Sequence, residues 1–286
     1  MKISDFKVKP NSKIDLSKFR TAGSGKNKSK EDAKKLLKKN VDKMIVLQDK
    51  LFAEDKYSIL IIFQAMDAAG KDGTIKHVMS GLNPQGTQVT SFKQPSSEEL
   101  NHHYLWRVNK ALPERGRIGI FNRSYYEEVL VVRVHNLQDT EKIPAKLIDK
   151  DIWQTRFREI NDFERNLFEN GTIILKFFLN LSKDEQKRRF LERIDTPSKN
   201  WKFSDSDLKE REYWNEYQKC FAEAISSTSK DYAPWFIIPA DIKWFARLAV
   251  SSVIIDTMEK LNLKYPELNN LQKENLKLYR DKLENN

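Results

Sequence analysis

The chain has 286 residues, and its 51 Lys and Arg against 41 Asp and Glu give a formal net charge of +10. This length suits one large α/β domain or two small ones, and the lack of an uninterrupted apolar stretch of about 18 residues excludes a membrane-spanning helix. The single cysteine, Cys220, excludes an intrachain disulfide, while the positive charge favours a polyanionic partner such as nucleic acid, a membrane surface or another phosphate polymer.

The first residues are expected to form a basic arm in front of one folded domain. Residues 1–30 mix Lys, Ser, Asn and Gly without a clear period, and the N-terminus lacks the apolar core of a signal peptide. Together with the single cysteine, this favours a soluble, cytoplasmic protein. We expect the domain to cover residues 31–265, and residues 266–286 to form a charged C-terminal helix or tail.

Helical and strand patterns alternate along the domain. From Glu31 to Leu51 apolar residues recur at helical spacing, which predicts a lysine-coated amphipathic helix. Apolar runs predict five strands, at 58–64, 86–92, 117–122, 172–180 and 235–240. Helical patterns follow at 71–82, 96–112, 124–132, 151–169, 182–194 and 205–227, and again from Asp241 onward. This alternation predicts a three-layer α/β/α fold with a parallel sheet covered on both faces.

The segment "QAMDAAGKDGT" (64–74) has the properties of a phosphate-binding loop. It joins a buried strand to a helix, and small residues followed by Gly-Lys let backbone N–H groups and an ammonium close around an anion. The candidate binding residues are Ala68, Ala69, Gly70, Lys71, Asp72, Gly73 and Thr74. Ala65 and Asp72 depart from the strict P-loop pattern, so a plain strand-to-helix turn with an acid near the helix start stays open.

Carboxylates near this loop are explained if phosphates arrive with Mg²⁺, which binds one or two carboxylates, waters and substrate phosphates. Asp67 is then a candidate metal ligand, whereas Asp72 is better explained as a complement to the helix dipole. Because strand ends gather ligands in an open α/β sheet, the end of the third strand is expected to face the same crevice. There Asn122 and Glu127 are candidate metal or water ligands, and Arg123 could neutralise charge on a transferred phosphoryl group. A helix cap at Asn122 and an Arg123–Glu pair are the alternatives.

A basic segment at about 183–211 is a candidate lid. It contains Lys187, Arg188, Arg189, Arg193, Lys199 and Lys202 beside a loop without a core pattern. Such a lid would exclude water and bring arginines to the transferred phosphate. A basic helix followed by a solvated loop is the alternative.

Three blocks of the sequence resemble the polyphosphate kinase 2 family in their order and spacing. They are "MDAAGKDGTIKHVMSGLNPQG" (66–86), "RIGIFNRSYYEEVLVVRVH" (117–135) and "KRRFLERIDTPSKNWKFSDSDLKER" (187–211). The resemblance spans residues 30–265 and implies a P-loop kinase-like fold with a helical lid. It also implies Mg²⁺, with Mn²⁺ as a substitute, and phosphoryl transfer between inorganic polyphosphate and nucleotides.

The resemblance assigns roles to individual residues. Asp67 and Lys71 match the Walker A metal and phosphate residues, and Asn122 and Arg123 match the Walker B pair. Glu127 corresponds to an acid near the metals. Further matches are Arg188 and Arg189 in the lid helix and Arg133 along the phosphate path; Arg193 of the basic segment is a further candidate for phosphate binding. Many members carry Asp where this chain has Asn122, so this metal site would have one negative charge fewer.

The motif combination looks most like the class that phosphorylates both AMP and ADP. The expected reaction is reversible and forms ADP and ATP, with guanine nucleotides as further acceptors. We expect no nucleic-acid or membrane partner, and a homo-oligomer, either a dimer or a tetramer. Two other functions fit part of the pattern: an ATP-dependent nucleoside monophosphate kinase, and a nucleic-acid-binding protein with a vestigial P-loop. The latter leaves Asp67 and Glu127 unexplained.

Overall fold

The five strands predicted from apolar runs form a single parallel sheet in the computed structural model of the chain, which describes residues 1–23, 29–140 and 142–285. The strands are β1 Ser58–Gln64, β2 Thr87–Ser91, β3 Ile118–Asn122, β4 Thr172–Asn180 and β5 Trp235–Pro239. Their order is β2-β3-β1-β4-β5. The central strand β1 is buried along its whole length, whereas the edge strand β2 has exposed side chains.

Helices cover both faces of the sheet, as predicted. The α-helices are α1 Lys30–Glu54, α2 Lys71–Val78, α3 Trp106–Asn109, α4 Val131–Val134, α5 Ile152–Glu169, α6 Lys183–Asp195, α7 Asp205–Glu212, α8 Trp214–Thr228, α9 Lys243–Lys260 and α10 Asn270–Glu284. The 3-10 helices are Ile3–Asp5, Leu16–Lys18, Pro84–Gly86, Glu99–Asn101, Tyr125–Val129, Leu137–Thr140, Ala145–Leu147 and Pro197–Lys202.

Alternating side chains of the strands divide the apolar core into two layers. In β1, Ile59, Ile61 and Phe63 pack with α1, α2 and α9, while Leu60 and Ile62 pack with α5 and α8 on the other face. Successive residues of a strand point to opposite faces, so a strand buried on both sides is apolar throughout. This explains the unbroken apolar run at 59–63 within β1.

Three predicted helices differ from the structure. The segment predicted at 96–112 forms the short 3-10 helix Glu99–Asn101 and α3, because the backbone is extended at His102, whose ring stacks on Trp106. The segment at 124–132 forms a 3-10 turn and then α4, because Tyr125 and Tyr126 both reach the buried carboxylate of Glu164. The segment at 205–227 is interrupted between α7 and α8. The interruption falls where an exposed polar helix gives way to one packed on the core.

The N-terminal arm contacts the edge of the sheet. The Val8 amide donates to the Trp235 carbonyl, and the Ile237 amide donates to the Phe6 carbonyl, both at 2.9 Å. Residues 24–28 of the arm lie outside the described residues. At the other end of the chain, α10 buries none of its residues. The division at residues 30 and 265 stays a prediction, and no described helix is long and apolar enough to cross a membrane.

Candidate active site

The loop after β1 bends sharply before α2 begins. Ala68 and Gly70 have φ angles of 61° and 98°, and the Thr74 amide closes the first turn of α2 on the Gly70 carbonyl. Positive φ is unstrained for glycine and rare for alanine, so surrounding contacts must hold Ala68 in place. This geometry points the N-terminal amides of α2 into an open cavity, where an anion can bind.

Lys71 is buried at the start of α2, with 9% of its surface exposed. Its Nζ donates to the Ala65 carbonyl at 3.0 Å. Burial lowers the pKa of Lys71, and the negative charge of Asp67 acts in the opposite direction. Among the described residues, no salt bridge joins this ammonium to a carboxylate, so a bound phosphate would be its ionic partner.

Arg123 connects the end of β3 to the loop after β1. Its backbone amide donates to the Phe63 carbonyl at 3.1 Å, and its Nη2 donates to Asp67 Oδ1 at 3.0 Å. Because β1 and β3 are neighbours, Phe63 and Asn122 are paired in register and the two strand ends meet. The carboxylate partner of Arg123 is therefore Asp67 rather than the glutamate considered from the sequence.

Asn122 and Asp72 form a direct contact across the same edge. Asn122 Nδ2 donates to Asp72 Oδ1 at 2.7 Å, and Asp72 lies in the first turn of α2. An aspartate at position 122 would place a second carboxylate against Asp72, and like charges at this separation repel. The amide replaces that repulsion with a hydrogen bond, which gives a physical reason for the departure from the usual aspartate. Its role as a metal ligand stays a prediction.

Glu127 lies in the 3-10 turn Tyr125–Val129, four residues after Arg123 in the chain. Burial raises the pKa of Glu127, while the charges of Arg123 and Lys71 and a hydrogen bond from Gln64 oppose that effect. Against the effect of burial, the negative charges of this carboxylate and of Asp67 both raise the pKa of Arg123 and so stabilise its positive charge. Together they can hold the guanidinium in place and leave it available to a phosphoryl group.

Two cavities meet at Arg123, which lines both of them together with Phe92 and Lys93. The first, called here the basic cavity, has a volume of about 810 Å³ and is lined by ten Lys and Arg side chains against three carboxylates. It contains all the predicted loop residues from Asp67 to Thr74. The second, called here the mixed cavity, has a volume of about 840 Å³ and is lined by apolar and polar groups, including Phe92, Tyr104 and Glu127. A donor and an acceptor could therefore approach Arg123 from different sides.

The predicted lid arginines have different environments. Arg189 is 4% exposed, and its N–H groups are all engaged at 2.7–3.0 Å. Their acceptors are the carboxylate of Glu185 and the carbonyls of Ala68, Ala69, Ala240 and Asp241. A guanidinium has five N–H donors, so Arg189 in this conformation holds the phosphate loop against the end of β5 and has none left for a phosphate.

The remaining predicted arginines are paired with acids. Arg193 lines the basic cavity and contacts Asp207 at 3.2 Å. Arg188 is exposed, donates to Glu185 at 2.6 and 2.7 Å, and does not line either cavity. Arg133 pairs with Glu223 at 2.7 Å and lies over the Trp153 ring, also outside both cavities. The structure thus brings Arg193, but neither Arg188 nor Arg133, to the predicted loop.

Several cavity residues are absent from the sequence-based candidates. The cations of the basic cavity that the sequence did not assign to the site are Lys76, Lys93, Lys243 and Arg247. Lys243 and Arg247 are one helical turn apart at the start of α9, which follows the last strand. The rule that ligands gather after parallel strands, applied to β5 as it was to β1 and β3, would have found them.

The carboxylates of the site fit a magnesium ion only together with substrate oxygens. The part of the chain that the structure describes has no group of three or more His, Cys, Asp and Glu able to form a metal cage. Mg²⁺ commonly takes one or two carboxylates and completes its octahedron with waters and phosphates. Asp67 and Glu127 supply hard oxygen ligands of that kind, since Asp67 lines the basic cavity and Glu127 the mixed cavity.

The base of the lid helix is expected to weaken in acid. Hydrogen bonds from Arg188, and then from Arg189, lower the pKa of Glu185 from 4.5 to about 2. A carboxylate with a lower pKa in the folded state stabilises the fold above its unfolded pKa, and this contribution is lost as the pH falls from about 4.5 to about 2.

Glu185→Gln should therefore lower the free energy of unfolding at pH 7 by on the order of 1–2 kcal/mol, after allowance for the solvent exposure of Arg188. Urea unfolding of both proteins at pH 7 and pH 3.5 measures this, because pH 3.5 lies between the folded and the unfolded pKa of Glu185. The difference between wild type and variant should shrink at the lower pH. A difference that does not depend on pH would contradict the assigned contact.

Comparison with known proteins matches almost the whole chain. The sequence profile described as polyphosphate kinase 2 matches residues 27–266. A protein of Rhodopseudomonas palustris named ADP-polyphosphate phosphotransferase is 50% identical over 285 residues, which are 99% of each chain. A protein of Meiothermus ruber named AMP/ADP-polyphosphate phosphotransferase is 43% identical over 92% of this chain and 95% of its own. The crystal structure of polyphosphate kinase 2 from Arthrobacter aurescens superposes with a TM-score of 0.86 and 40% identity, over 96% of this chain and 95% of that chain.

Proposed function

The chain belongs to the polyphosphate kinase 2 family, and on that basis we propose that it transfers phosphoryl groups from inorganic polyphosphate to AMP and ADP. The products are ADP and ATP, the reaction is reversible, and guanine nucleotides are further acceptors. The names of the two relatives support this acceptor range, since one names ADP and the other names AMP and ADP.

The observation that carries this proposal is the meeting of two cavities at Arg123. The excess of cations in the basic cavity suits a dense polyanion, whose phosphates carry a negative charge at every unit. The mixed cavity offers the apolar and hydrogen-bonding surface that a nucleoside requires. We therefore place polyphosphate in the basic cavity and the acceptor nucleotide in the mixed cavity.

The transfer is a displacement at phosphorus. An anionic oxygen of the terminal phosphate of AMP or ADP attacks the terminal phosphorus of the polymer, and a new P–O bond forms. The bond from that phosphorus to the bridging oxygen breaks, and the shortened polymer leaves with this oxygen and its electron pair. No proton has to be removed from the acceptor, because a phosphate oxygen is already ionised near neutral pH, so positioning and electrostatics provide most of the catalysis.

Residues of this chain have separate roles in that step. Lys71 and Arg123 neutralise charge that builds on the equatorial oxygens, and Asp67 keeps Arg123 in place. The lid excludes water, which would otherwise accept the phosphoryl group. Arg189 acts as a positioning residue through the carbonyls of the phosphate loop.

Mg²⁺, with Mn²⁺ as a substitute, is the proposed cofactor. When bound with the phosphates it supplies further neutralisation of their charge. Asp67 and Glu127 are the residues that would hold it, with Asn122 as a neutral oxygen donor.

A cytoplasmic location and a homo-oligomeric state, dimer or tetramer, also stay proposals.

One assay tests the proposal against its alternatives. Purified protein is incubated with Mg²⁺ and polyphosphate and, in separate reactions, AMP, ADP, GMP or GDP, and the nucleoside di- and triphosphates formed are separated by ion-exchange chromatography. We expect ADP and ATP from AMP, and ATP from ADP, without any added triphosphate. Parallel reactions without polyphosphate, or with ATP in its place, test the first alternative: ATP formed equally from ADP alone, or transfer to AMP only from ATP, would indicate a nucleoside monophosphate kinase. Tight oligonucleotide binding without any transfer would indicate the nucleic-acid-binding alternative.

A further inference from the structure

Two cations at the start of α9 line the basic cavity beside the first turn of α2. Lys243 and Arg247 are four residues apart, so both lie on one face of the helix. A side-chain methyl added at Gly73 would stand 3.6 Å from Arg247 Nη2, which places this guanidinium beside the first turn of α2. Arg189 joins the phosphate loop to the β5–α9 turn, which directly precedes these cations.

Arg247 is a half-buried cation whose charge is not balanced nearby. Within the residues described, it has no ion pair and no hydrogen bond. Burial lowers the pKa of Arg247, and the positive charge of Arg189 lowers it further. An anion bound here would stabilise the positive charge of Arg247, which burial and the charge of Arg189 both disfavour. A purely structural arginine is normally paired with an acid.

Glu192 of the lid helix is a competing partner for the neighbouring cations. Its carboxylate accepts from Lys199 at 2.5 Å and lies 3.8 Å from Lys243 and 3.4 Å from Arg188. Glu192 also lines the basic cavity. A polyanion that enters along α9 must therefore compete with this carboxylate for Lys243 and Lys199.

We propose that Lys243 and Arg247 form a distal anion subsite that binds polymer phosphates beyond the reacting end, with Glu192 as its internal counter-ion. The subsite makes the enzyme prefer long-chain polyphosphate to triphosphate, because a long chain can occupy the catalytic loop and still place further phosphates against Lys243 and Arg247. Glu192 keeps binding weak enough for the shortened polymer to move or leave after each transfer. This inference rests on the proposed function.

The test compares donors of different length. Arg247→Gln, Lys243→Gln and the double variant are assayed with ADP and either long-chain polyphosphate or triphosphate. In the double variant we expect the KM for the long chain to rise about tenfold, as for the loss of charged hydrogen bonds, with kcat changed less than about twofold. The KM for triphosphate should change less than about twofold. Glu192→Gln should lower the KM for the long chain by about threefold, because it removes the competing charge.

Lys260→Gln is the matched control. Lys260 lies at the other end of α9, is exposed, pairs with Asp256 and lies outside both cavities. Its variant should leave the KM for both donors unchanged. An equal rise in KM for triphosphate and the long chain in the double variant would overturn the distal subsite, as would a fall in kcat with unchanged KM.

Calorimetric binding without nucleotide separates this inference from the proposed function. If the wild type forms no ATP from polyphosphate and ADP, the proposed function fails. The subsite is then still tested by titrating long-chain polyphosphate and triphosphate into each protein. About tenfold weaker binding of the long chain alone in the double variant supports the subsite, and unchanged binding overturns it.

Discussion

Lys71→Met is expected to lower kcat by about 10²–10³-fold while the protein remains folded, because one charged donor to the transferred phosphoryl group is lost. Lys71 is buried, and its ammonium contacts the Ala65 carbonyl instead of a carboxylate. A buried cation without an ionic partner is unfavourable for stability. Methionine fills a similar volume without that charge, so we expect the melting temperature to stay the same or to rise.

Lys56→Met is the matched control for this variant. Lys56 stands just before the opposite end of β1, is exposed, and pairs with Glu54 at 3.5 Å. Its replacement should change neither kcat nor the melting temperature measurably. Activity of Lys71→Met within fivefold of the wild type would remove Lys71 from the proposed catalytic group. A parallel loss of activity and stability would mean that its role is structural.

The sheet and the phosphate loop could be predicted because each is encoded locally. A parallel strand buried on both faces has an unbroken apolar run, as β1 has at 59–63, and the Gly-Lys turn follows a few residues later. The closeness of Asp67 and Arg123 followed from a general rule for the carboxyl ends of parallel strands. The direct pairing of these two residues did not, because it depends on β1 and β3 being neighbours, and strand order is not written in either segment.

What could not be predicted depends on contacts between distant segments. The helix expected at 124–132 is interrupted because Tyr125 and Tyr126 reach a glutamate about 40 residues further along the chain. The sequence does not distinguish the lid arginines from one another. In the structure, Arg189 donates its hydrogen bonds to loop carbonyls, whereas Arg188 donates to neighbouring carboxylates. Basic character therefore identified the segment, but only the fold assigns its individual side chains.

The buried contact that interrupts that helix predicts the largest effect on stability. Lys176 of β4 and Glu164 of α5 are fully buried, with Nζ and Oε2 2.5 Å apart. The hydroxyls of Tyr125 and Tyr126 donate to Glu164 Oε1 at 2.8 and 2.9 Å, and Lys176 also donates to the Thr228 carbonyl at 2.7 Å. The pair thus holds the turn that contains Glu127 and follows Arg123.

Lys176→Met should lower the free energy of unfolding by about 3–5 kcal/mol, because it leaves the Glu164 carboxylate buried without a cation. The double variant Lys176→Met with Glu164→Gln should recover most of this loss, since the amide oxygen still accepts from both tyrosines and no charge remains buried. Urea unfolding with an unchanged m-value measures both differences. If the double variant is as unstable as the single one, the loss comes from packing rather than from the unpaired charge. Recovery of stability together with activity would show that the active-site turn requires the shape of this network and not its charge.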